Sequence, residues 1–170
     1  TESSDESGDD TTDDGCCGNI LTAHYGEHAI VTSAAAFGGS FAIASQNYGA
    51  DGPGSVSPFS YQLSISAAGA DSGLTSDEQT IYLYDIDGVI VGSTSAVAPE
   101  SATGESVVFS IAVATDGSVT LSQYQVIDGG SAGEEGECED QIVSLADHLV
   151  SLTASVTITD FDGDTATSTA

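Results

Sequence analysis

An antiparallel β-sandwich preceded by an acidic arm is the fold this sequence predicts, and three observations predict it. The first is alternation: Leu152, Ala154, Val156 and Ile158 alternate with Ser151, Thr153, Ser155, Thr157 and Thr159. A period of two sends one row into a core and the other into water. The second is composition, 39% hydrophobic with 20 Gly, no Met and no Trp. That palette suits short strands joined by tight turns. The third is a set of turn signals between apolar runs: Gly38-Gly39, Asp87-Gly88 and Asp116-Gly117. At 170 residues the chain is long enough for one domain with a real core and an appendage. The expected division is an all-β domain over residues 19–170 behind an arm over residues 1–18.

Taken in order, the arm is polar, with seven acidic residues among its first 14. Such a segment cannot order itself by burial, so ions, an anchor at Cys16 and Cys17 or a neighbouring subunit must hold it. Residues 19–45 read as two or three strands, NILTAH, HAIVTSAAAF and SFAIAS. His24 and His28 are spaced for one helix face, but Gly26 between them makes the stretch turn-like and weighs against metal ligation. NYGADGPGSVSP, residues 47–58, reads as a Gly/Pro loop offering Asp51. Tyr61, Leu63 and Ile65 then alternate with Ser60, Gln62 and Ser64, and GADSGLTSDEQ reads as a loop. IYLYDIDGVIVGST reads as a hairpin turning at Asp87-Gly88, although Asp85 and Asp87 also imitate half an ion loop. Val107, Phe109, Ile111 and Val113 alternate inward, and Asp116-Gly117 leads into SVTLSQYQVI. Residues 128–141 form an acidic loop carrying Cys138.

Charge excludes whole classes of partner. There are 27 acidic residues and no Lys or Arg, a formal net charge of −27. Neighbouring carboxylates at an effective dielectric of about 20 repel by roughly 4 kcal/mol at about 4 Å. Acidic clusters here therefore favour bound cations or strong salt; a solvated surface suited to a salty medium is the plainer alternative. With no basic patch, nucleic acid is excluded as a partner, and an anionic membrane repels the chain. No apolar run reaches transmembrane length, so no membrane insertion is expected. A chain starting at Thr1 reads as a processed product or a piece of something longer. Lacking Lys and Arg, it offers no trypsin-type cleavage site, a trait that suits a secreted, extracellular or cell-surface setting.

Two kinds of candidate site remain. Asp160, Asp162 and Asp164 pack three carboxylates into a D-x-D-G-D turn around Gly163. They repel one another unless a cation sits among them, and Ca2+, which takes six to eight oxygens, suits such a set. Among Cys16, Cys17 and Cys138, the adjacent pair is a poor disulfide, so one of the two is expected to bridge to Cys138 and leave a thiol for an intermolecular bond. Three free thiols are the alternative, and the spacing is a poor match to zinc.

The stretches NYGADGPGSVS, SYQLSISAAGADSGL, IYLYDIDGVIVGSTSA, VVFSIAVATDGSVTLSQYQVI and SLADHLVSLTASVTITDFDGDTAT resemble, in that order, repeat modules of giant repeats-in-toxin (RTX) surface proteins. These are bacterial adhesins and biofilm proteins exported by type I secretion. The likeness covers roughly residues 47–167. It implies a tandem, immunoglobulin-like, calcium-dependent extender domain, with Asp51, Asp160, Asp162 and Asp164 as the strongest ligand positions. The departures are an acidic, Cys-bearing insertion where such modules carry a short His-Pro turn, the absence of the glycine-rich nonapeptide repeat, and residues 1–45, which lie outside the likeness.

No catalytic motif is present: there is no G-x-S-x-G elbow, H-E-x-x-H, P-loop or Rossmann fingerprint. The chain is therefore not expected to be an enzyme. The expected function is a structural subunit or extender module of a calcium-stabilised surface fibre or matrix, self-associating head to tail or in a tandem array. The alternative is a calcium-dependent adhesin module binding a carbohydrate or another surface such as a mineral, with Tyr25, Tyr48 and Tyr84 as candidates for stacking on sugars.

Overall fold

The computed structural model describes residues 31–128 and 143–170, which build two antiparallel sheets. The strands are β1 (Val31–Ala36), β2 (Pro53–Val56), β3 (Ser60–Ile65), β4 (Ala70–Ser76), β5 (Gln79–Ile86), β6 (Val89–Ser93), β7 (Val107–Val113), β8 (Ser118–Gln123), β9 (Val150–Asp160) and β10 (Thr165–Thr169). Sheet one has six strands in the order β1-β8-β7-β6-β5-β4. Sheet two is built around β9, with β10 on one side. On the other side β3 pairs the first half of β9, and β2 pairs its end. Among the described residues no helix is long and apolar enough to cross a membrane.

The sheets pack face to face. Leu63 of β3 joins Ile81, Leu83, Ile90, Val108 and Phe109 of sheet one in a single buried cluster. Phe109 fits because its cross-strand neighbour is Gly92; a Cβ there would come within 2.3 Å of the ring. The start of β7 is buried on both faces, Val107, Val108, Phe109 and Ser110 in succession. The inward alternation expected of β7 is therefore only part of its burial. The extra cover comes from the chain after β8, where the Tyr124 N–H donates to the Val108 carbonyl at 2.7 Å and Ser110 and Tyr124 share a hydroxyl bond.

Two hairpins are closed by two-residue turns with both φ angles positive. Asp87 and Gly88 (53° and 85°) join Ile86 to Val89, as the sequence leads one to expect. Asp77 and Glu78 (50° and 61°) join Ser76 to Gln79. The second turn has no glycine, and Asp128 holds it by accepting both N–H groups, at 3.1 and 2.9 Å.

Several expectations are corrected. GADSGLTSDEQ is not a loop but β4 and its turn, its register broken between Asp71 and Thr75. The Gly/Pro stretch after Asp51 contains the short strand β2. SFAIAS is not a strand: Gly38–Ser40 is a 3-10 turn, and residues 41–45 join no ladder among the described residues, residues 42–45 instead lining a groove with Val156 and Ile158 of β9 and Ala166 of β10. The all-β sandwich stands as expected. Its strand order, with β4 to β8 consecutive in one sheet, does not establish the immunoglobulin-like connectivity, which shares consecutive strands between sheets. The arm over residues 1–18, His24, His28, Tyr25 and Cys16, Cys17 and Cys138 lie outside the described residues.

Candidate metal centre

At the far end of β9 the chain reverses into β10 through Asp160-Phe161-Asp162-Gly163-Asp164. The Asp160 carboxylate closes this turn, its Oδ1 accepting the N–H of Gly163 at 3.1 Å and of Asp164 at 2.8 Å. The Asp160 N–H in turn donates to the Asp164 carbonyl at 3.0 Å. Gly163 sits at φ 103°, where a Cβ is strained. Phe161 at the tip is 81% exposed.

A second loop is brought against this turn. Asn47 Oδ1 accepts the Gly49 N–H at 3.0 Å, and Gly49 and Gly52 take φ angles of 76° and 84°, which swing the chain back towards β9. β2 then meets β9 at a bulge between Pro53 and Ser55, with Pro53 opposite Asp160. Gly54 makes that approach feasible: a Cβ there would lie 2.3 Å from the Asp160 carbonyl oxygen and 2.5 Å from that of Thr159. The outcome is that one carboxylate oxygen each of Asp51, Asp160 and Asp162 lies within 4.8 Å of the others. A cleft of about 190 Å³ adjoins them, lined by Asn47, Tyr48, Asp160 and Asp164.

Asp160 is held below the ordinary carboxylate range. The largest cause is a side-chain hydrogen bond shared with Asp162, followed by the backbone N–H groups of Asp164, Gly163 and Asp162; desolvation acts in the opposite sense. The donor set is all oxygen, without His or Cys, which suits a hard cation rather than a transition metal. One oxygen from each carboxylate leaves a calcium shell half filled, so their second oxygens, carbonyls or water must complete it.

Of the residues singled out from sequence, Asp51, Asp160 and Asp162 converge. Asp164 stands outside that trio and serves the turn through its backbone. Asp85, near the end of β5, and Asp87, in the β5–β6 turn, serve that hairpin: Asp85 Oδ1 accepts the Gly88 N–H at 2.8 Å, and no third acid joins them among the described residues. Gly54 and Asn47 were not singled out. The N-x-G and G-P-G spacing around Asp51 was the available signal, but only the bulge reveals what Gly54 permits.

Fold and site together define an all-β sandwich with an acidic, oxygen-only cluster at one end of its smaller sheet. A family model described as a domain of unknown function (DUF5801) matches residues 3–170, and the chain belongs to that family. No curated protein and no solved structure matches it.

Proposed function

We propose that this chain is a structural subunit or extender module of an extracellular, calcium-stabilised surface fibre or matrix, assembling head to tail or in tandem. The observation that carries the reading is the meeting of Asp51 with Asp160 and Asp162 from two distant parts of the sequence. Three like charges so placed repel, and a calcium ion among them turns that repulsion into a tie between the β2 loop and the β9–β10 turn. Such a tie stiffens one end of the sandwich, which is what a link under tension requires. The likeness to RTX surface modules and the lack of any positive side chain favour the same setting, secreted or at the cell surface, with inert material rather than catalysis as the role.

The adhesin reading has less behind it. Tyr84 is 5% exposed and its hydroxyl donates to the Ser95 carbonyl, so it offers no ring face to a sugar. Calorimetric titration with calcium tests the proposal, together with electron microscopy of the native material. A site filled by calcium in the parent and lost in Asp160→Asn, with filaments or tandem arrays that loosen in chelator, is the expected result. A monodisperse particle indifferent to calcium would overturn it.

A further inference from the structure

We infer that the edge of β10 turned away from β9, which no strand among the described residues pairs, is a pairing site for a second copy of this chain, the two β10 strands running antiparallel about an axis at Thr167. Ala154 and Ala170 exchange both backbone hydrogen bonds at 2.9 Å, and the Asp160 N–H donates to the Asp164 carbonyl. Pairing type alternates along an antiparallel ladder, so Ala166 and Ser168 also bond to β9. Thr165, Thr167 and Thr169 are then the non-hydrogen-bonded positions, their N–H and C=O groups directed away from β9. The Thr157 and Thr167 hydroxyls lie 2.8 Å apart, the close side-chain approach such a pair gives. All five residues of β10 are exposed, and among the described residues β10 pairs with β9 alone.

Edges of this kind are normally blunted by proline, charge or a bulge. Among the other edges β2 carries Pro53 and a bulge and β4 carries Asp71 and a broken register, whereas β1 and β3, like β10, carry no proline, charge or bulge. β10, Thr-Ala-Thr-Ser-Thr, has none of these devices, although the chain carries 27 acids. Charge also selects the direction. Parallel pairing would set the two Asp160–Asp164 turns side by side. Antiparallel pairing places them at opposite ends of the ladder, about 20 Å apart at a strand rise of about 3.4 Å, beyond a Debye length of about 8 Å. With Thr167 opposite its own mate, Thr165 meets Thr169 of the second copy, and about six hydrogen bonds form. Ala166 then faces Ser168 across the join, small enough for the close spacing there. On that face the join borders the apolar groove of about 340 Å³ lined by Ile43, Phe59, Val156 and Ile158.

The inference does not rest on the metal reading, so its test is run in chelator at moderate salt. Sedimentation velocity of the full chain over a range of concentrations should show a reversible dimer. Thr167→Pro removes an N–H that β9 does not use, and proline is tolerated at such an edge position. Thr167→Glu sets two carboxylates against each other at the axis. Each should weaken association about tenfold or more, whereas Thr167→Val, which keeps the backbone groups, should leave it within about twofold. Circular dichroism confirms that the variants are folded; should the proline variant unfold, the glutamate variant decides. A chain that stays monomeric at every concentration, or an assembly unmoved by both substitutions, would overturn the proposal.

Discussion

Sheet one and sheet two bury their side chains very differently. In sheet one Ile81, Leu83, Ile90, Val91, Val107 and Val108 are wholly buried, and Tyr84 and Phe109 nearly so. In sheet two only Leu63 and Ala154 reach that state, the later apolar residues of β9 are half-buried, and β10 is exposed throughout. The acids that converge lie at one end of the second, thinner sheet: Asp51 in the loop before β2, Asp160 at the end of β9 and Asp162 in the turn that follows. Hydrophobic packing thus holds one half of the molecule, and in the proposed function an ion holds the other.

The largest test of that contrast is truncation in each sheet. Phe109→Ala opens a cavity against Gly92 and should cost about 3–5 kcal/mol in urea unfolding. Ile158→Ala, in a half-buried position of sheet two, should cost under about half of that. Equal costs would erase the distinction.

The next effect is that of calcium. At a free concentration about 100 times its dissociation constant, an ion bound only to the folded state adds about 2.7 kcal/mol. Chelation should therefore lower the melting temperature, and hydrogen exchange should accelerate at β2, β10 and the Asp160–Asp164 turn rather than in β5 to β7. Gly54→Ala should act like partial chelation, because its Cβ pushes β2 away from Asp160 and takes Asp51 with it. Calcium affinity should fall about tenfold or more while sheet one keeps its exchange protection.

Acid sharpens the comparison because folding lowers carboxylates in both sheets, Asp116 and Asp128 in sheet one and Asp160 in sheet two. Asp128 is held below the usual range first by a hydrogen bond with Thr75 and then by the Glu78 N–H, at the β4–β5 turn. Asp160 is lowered chiefly through Asp162. A carboxylate lowered by folding stabilises fully above its unfolded value, about 3.9, and that contribution is lost as pH falls through the lower folded value. Both turns should therefore loosen below about pH 4, against the opposing relief of charge repulsion. Calcium should protect the Asp160 turn from acid and not the Asp128 turn, as melting with and without the ion would show. In Asp128→Asn the acid-induced loss should shrink in sheet one alone.

What the sequence disclosed follows the same division. The alternation of β9 and the Asp87-Gly88 and Asp116-Gly117 turns were legible because period and turn chemistry are local. β4 was not, since Ala70–Ser76 is polar, contains Gly73 at φ 78° and ends in a glycine-free turn that depends on Asp128, some fifty residues away. SFAIAS has a strand's composition, but no strand edge among the described residues takes it up. The acidic turn at Asp160 was plain and the family likeness named Asp51 beside it, yet the β2 bulge that brings Asp51 close and the place of Asp164 outside the trio are not encoded in any spacing.

The smallest predicted effect concerns the acids that look like ligands and behave as turn residues. Asp85 accepts the Gly88 N–H, and Asp87 occupies a left-handed position at φ 53°, a conformation Asp and Asn tolerate better than most residues. Asp85→Asn keeps an acceptor for Gly88, and Asp87→Asn keeps the conformational tolerance, so each should shift stability by no more than about 0.5 kcal/mol. Neither should alter calcium binding, because no third carboxylate stands near them among the described residues. The same Asp→Asn exchange at Asp160 removes a charge from the converging trio, and there the calorimetric signal should collapse. A calcium response at Asp85 matching that at Asp160 would place ion binding in both sheets and undo the separation between a packed half and a tethered one.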